Sequence, residues 1–239
     1  MQLELLFRAN EGFVPVDYRP FVMSSFKGAL SKLYKNVFNE IYSKDNIQAK
    51  SFTFSTYFQK STIENGKIIL PTKKFKVVLS SYDYSLIMYL YNSMLLKLNK
   101  TFTISMKTSV TITGVNIKDV PDIDKNEIKI QFLSPLLVRD KTEEREKYID
   151  YRESDFNEKL NIVVKNFINT IPDAKFENEK IELIPIQPKR TVVKCMKLSF
   201  NSTYGIFILK GDARLLTYLH NSGIGSRRGE GFGMFMVLD

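Results

Sequence analysis

The 239 residues carry 35 Lys and Arg against 26 Asp and Glu, for a net charge of +9, and are 44% hydrophobic. That length and composition suit one large or two small domains with a core, and no apolar run approaches the roughly 20 residues that span a bilayer. A start without a basic, apolar leader, and a single cysteine, Cys195, which excludes an intrachain disulfide and a cysteine-rich zinc site, fit a cytoplasmic protein with no membrane partner.

Residues 2–8 read as a strand. Phe26, Leu30, Leu33, Val37 and Ile41, spaced by three and four, make one face of a helix over about 20–42, with Pro20 in its first turn. Strand formers alternate over 51–58. Asn65-Gly66 signals a tight turn, and 67–70 and 75–80 continue as strands. A second helix covers about 84–98 with Asp83 as its N-cap, and 101–117 reads as strand again. The order β-α-β-β-α-β is that of a ferredoxin-like fold.

Residues 119–126 look like a linker, dividing a domain at 1–118 from one at 127–239. The order then repeats: a strand at 128–138, a helix at about 155–170 and a strand at 180–185. A hairpin follows, with arms 190–200 and 204–210 around Asn201-Ser202-Thr203, then a helix at 212–220 and a closing apolar strand. The expected fold class is α+β, two tandem ferredoxin-like (RRM-like) domains.

Before the closing strand lies Gly223-Ile224-Gly225-Ser226-Arg227-Arg228-Gly229-Glu230-Gly231-Phe232-Gly233, with five of the chain's eleven glycines. Glycine permits positive φ and close approach of a ligand. A flexible loop with exposed amides and two guanidinium groups suits a polyanion. It is not a Walker loop, because no Gly-Lys-Ser/Thr follows, and a helix before with a strand after reverses the dinucleotide fingerprint. Residues 43–118 carry +8 and 186–239 carry +5, separated by −5 over 119–185. Two basic blocks are the electrostatic footprint of a nucleic-acid binder. On the hairpin, Arg190, Val192 and Lys194 share a strand face by period two.

The glycine loop resembles that of the CRISPR-associated repeat-RNA endoribonucleases, the Cas six family of the RAMP superfamily. Gly223, Gly225, Gly231 and Gly233, with Ile224 and Phe232 between, fill its pattern of Gly-hydrophobic-Gly, five residues, Gly-hydrophobic-Gly. Residues 132–139, Phe-Leu-Ser-Pro-Leu-Leu-Val-Arg, resemble the Ser-Pro strand that opens the family's second domain. The early strand and helix give a third, weaker likeness. The resemblance implies cleavage of precursor crRNA within repeats, leaving a 2′,3′-cyclic phosphate and a 5′-hydroxyl, with neither metal nor cofactor. The implied partners are repeat RNA and other Cas proteins, with a homodimer left open. A repeat-RNA-binding homologue that cuts poorly or not at all, and an RNA-binding subunit of an interference complex, are the alternatives.

Such cleavage uses the adjacent 2′-hydroxyl as nucleophile. It needs that hydroxyl deprotonated, the phosphate charge steadied and the leaving 5′-oxygen protonated. The family places a histidine just after the first helix, helped by a helix tyrosine and a downstream lysine. Here Tyr42 stands where the histidine belongs, Lys50 matches the lysine, and Ser31 or the nearby Tyr34 occupies the region of the tyrosine. The only histidine, His220, falls at the end of the last helix, where capping is the first reading, phosphate contact the second and catalysis the third. The resemblance thus implies Lys50, Tyr42 and Tyr34 as catalytic candidates. The loop glycines, Arg227, Arg228, Lys189, Arg190, Lys194, Lys27 and Lys44 are the RNA-binding candidates, the hairpin lining an RNA groove.

Overall fold

The computed structural model describes residues 1–42, 49–105, 108–141, 146–171, 175–176, 178–196 and 198–238. Lys44 lies outside the described residues. The chain divides into two compact units, one made of 1–46, 55–119 and 194–197, the other of 47–54, 120–193 and 198–239. Among the described residues no helix is long and apolar enough to cross a membrane.

The first unit begins with β1 (Gln2–Ala9), β2 (Phe13–Pro15), α1 (Arg19–Leu33) and α2 (Lys35–Tyr42). Then come β3 (Phe52–Tyr57), of which residues 55–57 belong to this unit, β4 (Thr62–Glu64), β5 (Lys67–Ile69) and β6 (Lys74–Ser81), followed by α3 (Tyr84–Leu95), β7 (Thr101–Ser105) and β8 (Thr108–Lys118). The main sheet runs β3-β6-β1-β8-β7, and β2-β5-β4 form a small sheet of their own. Its first four strands have the ferredoxin order. Leu3, Leu5 and Phe7 of β1 are buried with Val22, Phe26 and Leu30 of α1 and Leu86, Ile87 and Leu90 of α3.

Three local signals act as expected. Asp83 accepts a hydrogen bond from Leu86 N–H at 3.1 Å and caps α3. Asn65 and Gly66 take φ of 48° and 73° between β4 and β5, the left-handed pair that a two-residue hairpin turn requires. Strand β3 follows the helices as read.

Two expectations of the first half are corrected. The single helix over 20–42 is broken at Tyr34, whose φ of −132° and ψ of 60° leave the helical region. Its ring meets that of Tyr89 at 4.6 Å, and no residue of α2 is more than partly buried, so packing does not hold one continuous rod. The strand over 101–117 is a hairpin of β7 and β8. Both arms are rich in Thr, Ile and Val, and no Gly, Pro or Asn lies between them to announce a turn.

The second unit carries β9 (Glu127–Phe132), β10 (Val138–Lys141), β11 (Glu146–Ile149) and α4 (Phe156–Ile168). These are followed by β12 (Glu182–Cys195), β13 (Leu198–Lys210), α5 (Ala213–Ser222), a 3-10 turn at Arg228–Glu230 and β14 (Phe235–Leu238). Its sheet runs β12-β13-β9-β14, again the ferredoxin order, and β10 and β11 pair separately. The fold is α+β with tandem ferredoxin-like topology.

Here the expected strand over 128–138 ends at Phe132, where Ser134-Pro135 interrupts it. Proline has no N–H to continue a ladder. The hairpin expected around Asn201-Ser202-Thr203 turns instead just after Cys195, where Met196 takes a φ of 51°. The three polar residues sit inside β13 because their groups are used there. Ser202 Oγ donates to the Thr191 carbonyl at 2.9 Å, and Thr203 Oγ1 accepts from Tyr151 N–H at 3.0 Å. Pro185, read as the end of a short strand, lies with Pro188 within edge strand β12, where a missing N–H is tolerated.

Candidate nucleic-acid interface

The glycine loop is a closed, packed element. Asp212 accepts from Leu215 N–H at 3.0 Å and starts α5. Gly223 ends it, donating its N–H to the Leu219 carbonyl at 2.7 Å. The loop's neck is shut by Ile224 N–H donating to the Gly233 carbonyl at 2.9 Å. Ile224 and Phe232, the apolar residues between the glycine pairs, are fully buried.

The Ser-Pro segment holds the loop's base. Ser134 Oγ accepts from Met234 N–H at 2.9 Å, and the Pro135 carbonyl accepts from Gly233 N–H at 2.9 Å. Ser226 N–H donates to the Leu137 carbonyl at 2.8 Å. On another side, Thr53 Oγ1 donates to the Phe232 carbonyl at 2.8 Å. A Cβ on Gly231 would stand 2.5 Å from the Phe54 ring. The close approach that glycine permits is therefore used by the chain itself. The expectation of a flexible loop with exposed amides is corrected: Gly223, Gly225, Gly231 and Gly233 are buried, and residues 226, 227, 229 and 230 are half-buried.

The two arginines have opposite surroundings. Arg227 donates from Nε to Tyr148 Oη at 2.7 Å and from Nη1 to both Glu230 oxygens at 3.0 Å. Its guanidinium lies 4.8 Å from the Phe200 ring centre. Burial works against its charge, but the Tyr148 hydrogen bond and Glu230 outweigh that and hold its pKa above the usual value. Tyr148 Oη in turn donates to Glu146 Oε1 at 2.9 Å, and Glu146 pairs with Arg139. Arg227 keeps a quarter of its side chain exposed. Arg228 is 4% exposed, with its guanidinium 3.8 Å from the Phe167 ring centre. It donates from Nη1 to the Gly223 carbonyl at 3.4 Å. The charge of Arg228 thus faces a ring and the loop's own backbone.

Residues 118–237 match the family model described as CRISPR associated protein Cas6, C-terminal. The chain belongs to the Cas6 family. It resembles the solved structure of "an RAMP protein binding different RNA substrates", with a TM-score of 0.87, 17% identity and 100% of both chains covered. A Cas6-related protein from Pyrococcus furiosus aligns with a TM-score of 0.83 and 19% identity, over 100% of this chain and 98% of that one. A further Cas6 structure aligns with a TM-score of 0.76 and 19% identity, over 100% and 99%. At these identities the likeness is one of fold. No curated protein sequence matches the chain. The Cas6 fold is thus common to the chain and these structures, and it is a CRISPR repeat-RNA-processing fold.

Within that fold, the second unit brings Lys50 to the glycine loop: its Cγ lies 3.0 Å from where a Cβ would stand on Gly229. Tyr42, Tyr34 and Lys27 belong to the first unit. Lys27 Nζ lies 4.8 Å from the Tyr42 ring centre, and burial pushes the Tyr42 phenol well above its ordinary pKa. Tyr42 is therefore a protonated, ring-packed residue at neutral pH and no general base. Arg190, Val192 and Lys194 are exposed on β12, as period two requires, and Lys189 is exposed beside them. Tyr148 and Glu230 escaped the sequence reading. Glu230 carries a signal, three residues beyond Arg227 on a tight turn, whereas Tyr148 is 79 residues away and carries none.

His220 packs rather than caps by charge. It is 8% exposed, its ring lies 5.2 Å from that of Phe235, and its Nδ1 has no hydrogen-bond partner among the described residues. Burial lowers its pKa from 6.5 to about 4. The unfolded chain takes up this proton near pH 6.5 while the folded chain resists until about pH 4. The unfolded state binds more protons in that window, so stability falls as pH drops through it, by up to about 3 kcal/mol. His220→Gln should flatten the fall of the urea midpoint between pH 6.5 and pH 4 relative to wild type, and leave any RNA cleavage at neutral pH within a few-fold. Equal slopes would show that His220 is not held neutral, and a loss of about a hundredfold in rate would show general acid–base work.

Proposed function

We propose that this protein cuts precursor crRNA within its repeats, with the 2′-hydroxyl oxygen attacking the adjacent phosphorus and displacing the 5′-oxygen. The 2′-proton leaves to solvent base, the 5′-oxygen takes a proton, and the products are a 2′,3′-cyclic phosphate and a 5′-hydroxyl. The observation that carries the reading is Lys50 against the 3-10 turn of the glycine loop. A flexible ammonium there can steady the charge that gathers on the phosphate during attack. Incubating the protein with its own repeat RNA in EDTA tests this. Cleavage at one phosphodiester with a cyclic phosphate end is expected, and tight binding without cleavage would replace this reading with the second.

That second reading, an RNA-binding homologue that does not cut, is favoured by two observations. The sole histidine is buried and neutral, and Tyr42 cannot act as a base at neutral pH.

For binding, Arg227 is the loop arginine that reaches solvent. Arg227→Ala should weaken repeat-RNA binding and make the log–log salt slope shallower by about 0.7, the value for one phosphate contact on a single strand. An unchanged slope would remove Arg227 from the interface.

A further inference from the structure

The end of β11 and the middle of β12 hold a device that neither the glycine loop nor Lys50 involves. Asp150 follows β11 and is 3% exposed. Its Oδ1 accepts from Arg152 Nε at 2.8 Å and its Oδ2 from Arg152 Nη2 at 3.0 Å. The same Oδ2 lies 3.2 Å from Arg190 Nε. Arg190 also donates from Nη2 to Asn201 Oδ1 at 3.0 Å. One buried carboxylate thus grips two guanidinium groups by their inner edges. The side chains of Arg152 and Arg190 remain 53% and 45% exposed. Among the described residues, Nη1 of each has no acceptor.

The arithmetic of charge and the geometry agree. Two guanidinium groups, one from the turn after β11 and one from β12, share one buried carboxylate, and Glu153 is the further acidic group that acts on Arg152. A carboxylate with both oxygens engaged is held below its usual pKa, first by its Arg152 hydrogen bonds. Glu4 with Lys76 and Lys118, and Asp140 with Lys147 and Lys159, show the same plan. Among the described residues, only Asp150 holds two arginines. Arginine presents a planar fork that matches phosphate oxygens, whereas lysine presents a point charge. Long side chains ordinarily lose rotamer freedom on binding, and groups already fixed lose less.

We propose that Arg152 and Arg190 form a phosphate clamp for the RNA backbone and that Asp150 is its positioning residue. This rests on the RNA-processing reading above, and it adds Asp150 and Arg152 to the residues that reading employs. The sign of one substitution separates positioning from bulk charge. Asp150→Asn removes a negative charge from a basic protein, so a purely electrostatic surface would bind RNA more tightly. A clamp that depends on Asp150 loses its geometry and binds more weakly.

The test measures binding of fluorescein-labelled repeat RNA at several salt concentrations, with melting curves for each protein. Asp150→Asn is expected to weaken binding about five- to tenfold. Arg152→Gln with Arg190→Gln should make the log–log salt slope shallower by about 1.4, two single-strand contacts. Where Asp150→Asn fails to fold, Arg152→Lys with Arg190→Lys keeps both charges and ion pairs. It should weaken binding several-fold at an unchanged salt slope. Unchanged or tighter binding by Asp150→Asn, or full affinity in the double lysine variant, overturns the clamp while the RNA-processing reading stands. Wild-type protein that binds no repeat RNA overturns both.

Discussion

Gly233→Ala is expected to destabilise the protein by about 4 kcal/mol or more, the range reserved for severe core disruption, while Gly66→Ala costs only about 1 kcal/mol. The two glycines share a φ of 73°. They differ in what a methyl group would meet. At Gly66 nothing lies within 4 Å, whereas at Gly233 the methyl would stand 1.7 Å from the Ile224 carbonyl oxygen. The backbone there cannot yield cheaply. The Gly233 carbonyl accepts from Ile224 N–H, and its own N–H donates to the Pro135 carbonyl, both at 2.9 Å. Moving away breaks the loop's neck, and both groups are buried, so each would be left unpaired at a further cost of about 1–3 kcal/mol. Against a typical stability of about 5–15 kcal/mol, this approaches loss of the fold. Thermal melting of the two variants decides. Equal shifts would mean that left-handed strain alone, and not the packed neck, explains the glycine.

The same pair shows what was legible in the sequence. The positions that need glycine stand out, because few residues tolerate positive φ. What occupies the space of the missing side chain does not. Gly231 lies against Phe54, at a separation no local pattern encodes, and so a loop that folds upon its own chain reads like one open to a ligand. The element order survived for a related reason. Periodicity and caps such as Asp83 and Asp212 are local, and they place helices and strands in the ferredoxin sequence. The errors fell where long-range bonds override local preference. Asn201-Ser202-Thr203 has turn composition, yet Thr191 and Tyr151 supply the partners that keep it in a strand. Arg228 reads as a surface cation until Phe167 is placed beneath it. Lys50 was named by resemblance, and its neighbour Gly229 emerges only in three dimensions.

Lys50→Ala is expected to slow cleavage of repeat RNA by about ten- to a thousandfold, the span for losing one group that stabilises developing charge, while the binding constant changes much less. His220 is neutral and buried in the core, and Tyr42 is held protonated by burial. Neither can take the 2′-proton at neutral pH, so wild-type turnover should be slow and limited by the uncatalysed deprotonation. What remains available is stabilisation of charge on the phosphate, and Lys50 lies half-buried beside the 3-10 turn of the loop. A single positive charge contributes more to the transition state than to the bound substrate only if negative charge grows there, so the loss should fall on rate rather than on affinity. Lys50→Arg keeps the charge but not the reach of a point ammonium, and should recover part of the rate. Single-turnover cleavage in EDTA, with binding measured on the same preparations, gives both quantities. If Lys50→Ala cuts at the wild-type rate while binding normally, the centre lies elsewhere in the molecule.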